Sequence, residues 1–313
     1  MADVPPPPAR GPSVVALGGG HGLAIALRAA ERYAGALTAV VSVADDGGSS
    51  GRLRRDLDVV PPGDLRKCLV AVATPGNVWA EAFEHRFGGT ELAGHALGNL
   101  VLVGLAETLG DIGAALDVAG ALLGARARVR PATTERVVLK AHVDGDGVGR
   151  GDVAAREVEG QVAVMREPGR IRRVELVPGD VPADPVAVAA IRAADQVVLA
   201  PGSLFTSVLP VLAVPEIRTA VVETAGQVVQ VGNLAPQVPE TAGLDGVDHL
   251  RAVLEHGARV DVLLLSRGAQ LTADDDAVRA CGVEPTRADV ATAGGTAHDP
   301  ARLARALADL LDS

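Results

Sequence analysis

Aromatic residues are almost missing from this chain of 313 residues, at 2% of the sequence. A core without large rings must be filled by Val, Leu and Ala, which suits helices packed closely on a parallel sheet better than an aromatic-rich β-sandwich. Cysteine is equally scarce: Cys68 and Cys281 are the two present. A disulfide framework is thereby excluded, and so is a zinc knuckle, which needs cysteines in close pairs. The setting expected from this is a reducing cytoplasm. Basic residues are outnumbered, giving a net charge of −10. Nucleic acid and anionic membranes, both of which demand a basic surface, are therefore not expected partners. No apolar run approaches the roughly 18 residues of a membrane span, and the first residues, Met-Ala-Asp-Val-Pro-Pro-Pro-Pro-Ala-Arg, have neither the basic nor the apolar region of a signal peptide. Membrane insertion is not expected.

What is present is 48% hydrophobic residues, 37 glycines and a regular alternation of short apolar runs with helical stretches. Residues 13–17 form a first apolar run, 23–33 have helical composition and 37–43 are again β-branched, so the chain opens with a βαβ unit and a parallel sheet. Residues 61–125 contain helical segments at 63–73, 78–87, 97–109 and 112–123, which are expected as a helical insertion. Residues 136–177 switch to short strands at 137–143, 161–165 and 171–177, with a Gly/Asp turn at 144–149, expected as a small β-rich extension. Buried strands then recur at 196–200, 227–231 and 260–265, and a helix closes the chain at 300–311. The predicted fold is a Rossmann-like α/β domain: an open parallel sheet with helices on both faces, spanning 13–313 behind a disordered Pro-rich tail at 1–12.

In such sheets ligands sit beyond the carboxyl ends of the strands, and the chemistry-bearing loops lie there. After the first strand, Gly18-Gly19-Gly20-His21-Gly22 gathers backbone N–H groups at a helix N-terminus, a cradle for phosphate. It lacks the sixth glycine of the dinucleotide fingerprint and the Walker lysine. A tight turn needing glycine for close packing explains the same residues. After the second strand, Asp45 and Asp46 run into Gly47-Gly48-Ser49-Ser50-Gly51, read as a loop of small residues that orders around a ligand. The two acids suit a ribose diol or a hydrated Mg²⁺ bridging phosphates, or they are a solvated acidic turn. Pro61-Pro62-Gly63-Asp64-Leu65-Arg66 opens a helix, with Asp64 read as a cap and Arg66 as a bidentate phosphate partner. His95 and Asn99 fall four apart on one helix face. Gly202, Ser203 and Thr206 form a second anion cradle, and Asn233, Gln237 and Glu240 supply polar groups for a base or sugar.

Taken in order, Ala-Leu-Gly-Gly-Gly-His-Gly-Leu at 16–23, Val-Ala-Asp-Asp-Gly-Gly-Ser-Ser-Gly-Arg-Leu-Arg at 43–54, Pro-Pro-Gly-Asp-Leu-Arg at 61–66, Gly-His-Ala-Leu-Gly-Asn-Leu at 94–100 and Pro-Gly-Ser-Leu-Phe-Thr-Ser-Val-Leu-Pro at 201–210 resemble the YvcK family of gluconeogenesis factors, over nearly the whole chain. That family shares a superfamily with CofD, the 2-phospho-L-lactate transferase. The resemblance implies a cytoplasmic regulator that binds a nucleotide ligand, a UDP-sugar or an NAD-type dinucleotide, without a required cofactor. Its implied role touches carbon metabolism, cell shape and wall synthesis. A homo-oligomer and cell-wall synthesis proteins are the expected partners. The phosphate would lie on Gly19, Gly20, His21, Gly22, Gly202, Ser203, Thr206 and Arg66. Ribose, base or sugar would be met by Asp45, Asp46, Ser49, Ser50, His95, Asn99, Asn233, Gln237 and Glu240, with Asp45 and Asp46 as the Mg²⁺ ligands. The CofD branch implies the alternative, a Mg²⁺-dependent transfer of a phospholactyl-type group from a GDP-linked donor to a deazaflavin with release of GMP. The chain departs from the family at His21, where threonine is usual, at Lys67, in the loop after Asn233 and at Ala297, where an arginine is usual.

Overall fold

The computed structural model describes residues 11–144 and 155–312. Most of the Pro-rich tail and the Gly/Asp turn after Asp144 lie outside the described residues.

The opening βαβ unit forms as its pattern dictates. Strand β1 (Ser13–Gly18) is buried almost throughout, helix α1 (Gly20–Ala30) buries Leu23, Ala26 and Leu27, and β2 (Ala36–Val41) pairs parallel with β1. Then comes a difference: Gly48–Leu57, whose start was expected as a loop, is helix α2. Its glycines and serines have weak helix propensity, but Ser49, Ser50 and Leu53 are buried, and tertiary packing supplies what propensity does not. A bundle follows: α3 (Gly63–Ala71), α4 (Val78–Glu84), α5 (Leu97–Leu109) and α6 (Ile112–Leu123). The α5–α6 corner is set by left-handed Gly110 and by Asp111, whose side chain accepts from the Gly113 N–H.

Strand β3 (Arg128–Pro131) then joins the sheet beside β2. Strands β4 (Val138–Val143), β5 (Arg156–Glu159) and β6 (Ile171–Val177) make a separate antiparallel sheet in the order β5-β4-β6. Residues 161–165, expected as a strand, are instead the short helix α7 (Gln161–Met165). Gly160 enters it at φ +96°, and the Asp46 carboxylate accepts from the Val162 N–H at 3.0 Å; a long-range cap decides a segment whose alternating apolar residues suggest a strand.

The main sheet resumes with α8 (Pro185–Arg192) and β7 (Gln196–Leu199). A single π-helical turn (Leu204–Val208) runs into α9 (Leu209–Leu212), followed by α10 (Pro215–Glu223), β8 (Gln227–Val231), α11 (Gly246–Glu255), β9 (Val262–Ser266), α12 (Asp275–Ala280), β10 (Glu284–Ala288) and α13 (Pro300–Asp309). The seven strands are parallel in the order β10-β9-β8-β7-β1-β2-β3. Helices cover both faces, as the Rossmann-like expectation requires. One apolar cluster runs from Val14 to Leu307 and includes Leu139 and Val174 of the small sheet. No single helix among the described residues is long and apolar enough to cross a membrane.

The strand order fixes where a ligand can enter. From β1 the chain moves outward to β2 and β3, then returns to β7 on the other side of β1 and moves outward to β10. The chain therefore runs in opposite directions across the sheet after β1 and after β7, which places a crevice at the switch point between them.

Candidate functional site

Two loops form the floor of that crevice, and they touch. A methyl group on Gly22 would overlap the Pro201 carbonyl oxygen, so the first turn of α1 and the loop after β7 are in contact through a glycine. Gly20 takes φ +58°, a left-handed conformation natural to glycine. Helix α1 starts at Gly19 with no side-chain cap and no acid in its own first turn. Its leading N–H groups thus keep their capacity for an anion. His21, in this turn, is exposed.

Facing the glycines is a residue expected to be only a helix cap. Asp64, 5% exposed, makes no cap bond; a Cβ on Gly19 would lie 2.8 Å from its Oδ2 and 3.5 Å from the Ser207 hydroxyl. Lys67 Nζ, one turn along α3, donates to Asp64 Oδ1 at 2.9 Å. Asp45 stands beside it. Its Oδ1 accepts from the Gly47 N–H at 2.9 Å, and a Cβ on Gly63 would lie 2.8 Å from its Oδ2. Burial, then the neighbouring Asp64 charge, push the Asp45 carboxyl above the usual carboxylate range, against the pull of the Gly47 N–H, the Ser50 hydroxyl and Lys67.

The acids therefore pair differently from expectation. Asp45 pairs with Asp64, while Asp46 turns to the Val162 N–H and holds α7 against the site. The Asp45/Asp64 pair fits Mg²⁺ in two respects: two carboxylates with too little neighbouring positive charge, and glycines at 19 and 63 where any side chain would fill the space beside them. No group of three or more acidic, His or Cys side chains gathers into a metal cluster among the described residues. Mg²⁺ commonly needs only one or two carboxylates, with water and phosphate oxygens completing its shell.

Several other expected ligand residues are engaged within the protein. Ser49 Oγ lies 3.0 Å from His95 Nδ1 and accepts from Asn99 Nδ2 at 3.0 Å, so these three buried side chains tie α2 to the start of α5. Burial lowers the His95 pKa, and the Arg52 charge adds to it. Arg66, expected as a phosphate partner, is 2% exposed, paired with Glu84 at 2.5 Å and donates to the Phe83 carbonyl at 3.5 Å, inside the helical bundle. The second anion cradle is filled from inside: Glu240 Oε1 accepts from the backbone N–H of Phe205 at 2.7 Å and of Thr206 at 3.1 Å, and the Ser203 and Thr206 hydroxyls join it. Burial nevertheless raises the Glu240 pKa. Asn233 accepts from the Gly202 N–H and donates to the Gly202 carbonyl, both at 2.8 Å, stapling the loop after β7 to the loop after β8. Gln237 keeps a buried Oε1 with no partner.

The structure thus brings together Gly19, Gly20, Gly22, Asp45, Ser50 and Gly202 around the crevice and adds Asp64, Lys67 and Ser207 to them. The Pro-Pro-Gly-Asp-Leu-Arg motif held the signal for Asp64, but its place at a helix start has a simpler local explanation. Residues 14–298 match the family described as 2-phospho-L-lactate transferase CofD. The chain belongs to this family. Within the CofD family it stands with the gluconeogenesis factors. It is 45% identical to the "Putative gluconeogenesis factor" of Mycobacterium leprae, over 96% of this chain and 86% of that one. It is 34% identical to the "Gluconeogenesis factor" of Bacillus subtilis, over 96% and 98% respectively. A crystal structure of a UPF0052 family member from Bacillus halodurans is similar with a TM-score of 0.88 and 32% identity, covering 96% of this chain and all of that one. The motifs that carry the YvcK-type resemblance, from 16–23 to 201–210, all lie within the matched residues.

Proposed function

We propose that this CofD-family chain is a cytoplasmic regulatory protein that binds a nucleoside diphosphate-linked ligand, of the UDP-sugar or NAD type, without turning it over. The observation that carries this reading is the juxtaposition of the uncapped α1 N-terminus with Asp45, Asp64 and Lys67 at the switch point. Backbone N–H groups at Gly20 to Gly22 favour phosphate oxygens. The two carboxylates repel a bare anion, and a diphosphate that arrives with Mg²⁺ resolves that conflict. Asp45 and Asp64 would hold the ion, and its contribution is charge neutralisation between the acids and the diphosphate. The relatives named gluconeogenesis factor support a role in the balance of carbon metabolism, and the expectation of a tie to wall synthesis and cell shape stays with that role.

A second reading, favoured by the family description and by the same acid pair, is transfer of a phospholactyl-type group from a GDP-linked donor to a deazaflavin with release of GMP. Titration calorimetry with UDP-N-acetylglucosamine, NAD and a deazaflavin, with and without Mg²⁺ and followed by product analysis, separates the two. The binding reading expects Mg²⁺-dependent heat and unchanged ligand. Release of GMP from a GDP-linked donor would replace it with the transferase. Binding that survives intact in the Asp45→Asn, Asp64→Asn double variant would remove this site from either mechanism.

A further inference from the structure

Beyond the Gly22–Pro201 contact, at the carboxyl ends of β7 and β8, lies a cavity of about 10 Å³. Gly202 and Asn233 form its side toward the crevice, and Leu204 and Val208 of the π-helical turn form an apolar wall. Besides Asn233, two polar side chains line it: Gln230 from β8, 5% exposed, and His249 from α11, 3% exposed. Both are more than nine-tenths buried, yet Gln230 Oε1 and His249 Nε2 have no hydrogen-bond partner. Leaving a buried polar atom unpaired costs stability, so two such atoms on residues lining one small cavity point to a small polar guest.

The chemistry of the guest follows from the lining. Gln230 Oε1 can only accept a hydrogen bond, so the guest must donate to it. Burial lowers the His249 pKa to about 4, so its ring is neutral near pH 7, and Nε2 in one tautomer donates and in the other accepts. No charged side chain lines the cavity. The volume takes about one atom-sized group. A single hydroxyl meets all of these demands, since it donates to Gln230 and accepts from His249 through the same oxygen.

We propose that Gln230 and His249 form a subsite for one hydroxyl group of the bound ligand, reached across Gly202 from the phosphates on the glycine turn. This rests on the nucleotide reading of the site. A ribose hydroxyl is the source tested here. Asp46, expected from the sequence to read ribose, has one oxygen on the Val162 N–H; on the other side of the crevice Gln230 and His249 carry unpartnered atoms on residues that line one cavity.

The test is calorimetric titration, with Mg²⁺, of the wild-type chain and of the Gln230→Leu and His249→Leu variants with UDP, 2′-deoxy-UDP and 3′-deoxy-UDP. Wild type is expected to bind one deoxy analogue about tenfold more weakly than UDP. Each variant should lose that discrimination, binding UDP as weakly as wild type binds the analogue. The unliganded Gln230→Leu protein should melt at or above the wild-type temperature, because an unpaired buried acceptor has been replaced by an apolar group of similar shape. A ratio that persists in both variants, or no discrimination by wild type, overturns the subsite. A lower melting temperature with an unchanged ratio assigns the cavity to a structural water and also overturns it. If UDP fails to bind wild type at all, the nucleotide reading falls and carries this inference with it; if UDP binds and only the ratio is unmoved, the subsite alone falls.

Discussion

Replacing Glu240 by alanine tests whether the loop after β7 is held by an internal anion. In the folded chain one carboxylate oxygen takes the Phe205 and Thr206 N–H groups at 2.7 and 3.1 Å, where an external phosphate would otherwise bind. Both donors are buried, and the alanine variant leaves them unpaired. At about 1–3 kcal/mol for each unpaired group, partly relieved by entering water, the loss is expected to be about 2–4 kcal/mol. For 313 residues, an unfolding entropy of about 2.1 cal/mol/K per residue gives about 0.66 kcal/mol/K, so Tm should fall by roughly 3–6 °C. Glutamine is the informative control. Burial raises the Glu240 pKa, which means the neutral form is the better tolerated one, and an amide oxygen still accepts both N–H groups. Glu240→Gln should therefore stay within about 1 kcal/mol of wild type. Thermal melts of the three proteins, repeated in millimolar sulfate, provide the assay. Sulfate should restore part of the alanine variant's stability and leave the other two little changed. An alanine variant that melts at the wild-type temperature, or one that sulfate does not help, would refute the internal-anion account.

Three further outcomes are expected. Asp45→Asn should raise the Tm of the metal-free protein near pH 7, because the ionised carboxylate is held above its ordinary pKa by burial and by Asp64 and so costs stability wherever it is charged. The advantage should shrink as pH falls through the raised folded pKa toward 3.8, and a gain that is the same at pH 4 and pH 7 contradicts it. Gly22→Ala drives a methyl group into the Pro201 carbonyl; a loss of about 1–3 kcal/mol in denaturant melts, together with weakened nucleotide binding, is expected. Cys68 is fully buried and its thiol pKa is pushed up by burial and by Asp64, so a thiol reagent should label Cys281 first and reach Cys68 only under denaturing conditions. Fast labelling of Cys68 in native buffer would place it outside the core.

The parts of the fold visible in the sequence are those whose burial is symmetrical or whose helix signals are local. Strand β1 carries a continuous apolar run ended by glycines, and β8, α5, α6 and β6 fall on their expected bounds. Strands β3 and β10 went unseen for a physical reason: they are the two edges of the sheet, and Arg128, Arg130 and Pro131, like Glu284, Pro285 and Arg287, break the apolar pattern as edge strands commonly do. Helix α7 was hidden because its alternation suits a strand, and only the Asp46 carboxylate from a distant loop caps it as a helix.

The site divides in the same way. The sequence by itself determined that glycine turns and paired acids lie at the carboxyl ends of strands, since glycine favours tight strand-to-helix turns and adjacent carboxylates are not packing residues. Only the tertiary structure decided which acids meet and which donors remain open. Asp45 and Asp64 are 19 positions apart yet share one pocket, adjacent Asp46 turns away to α7, and Glu240 takes the donors that Ser203 and Thr206 offered to a ligand. Hydrogen bonds and charges act over ångströms in space, and spacing along the chain does not encode which buried partner reaches a given group first.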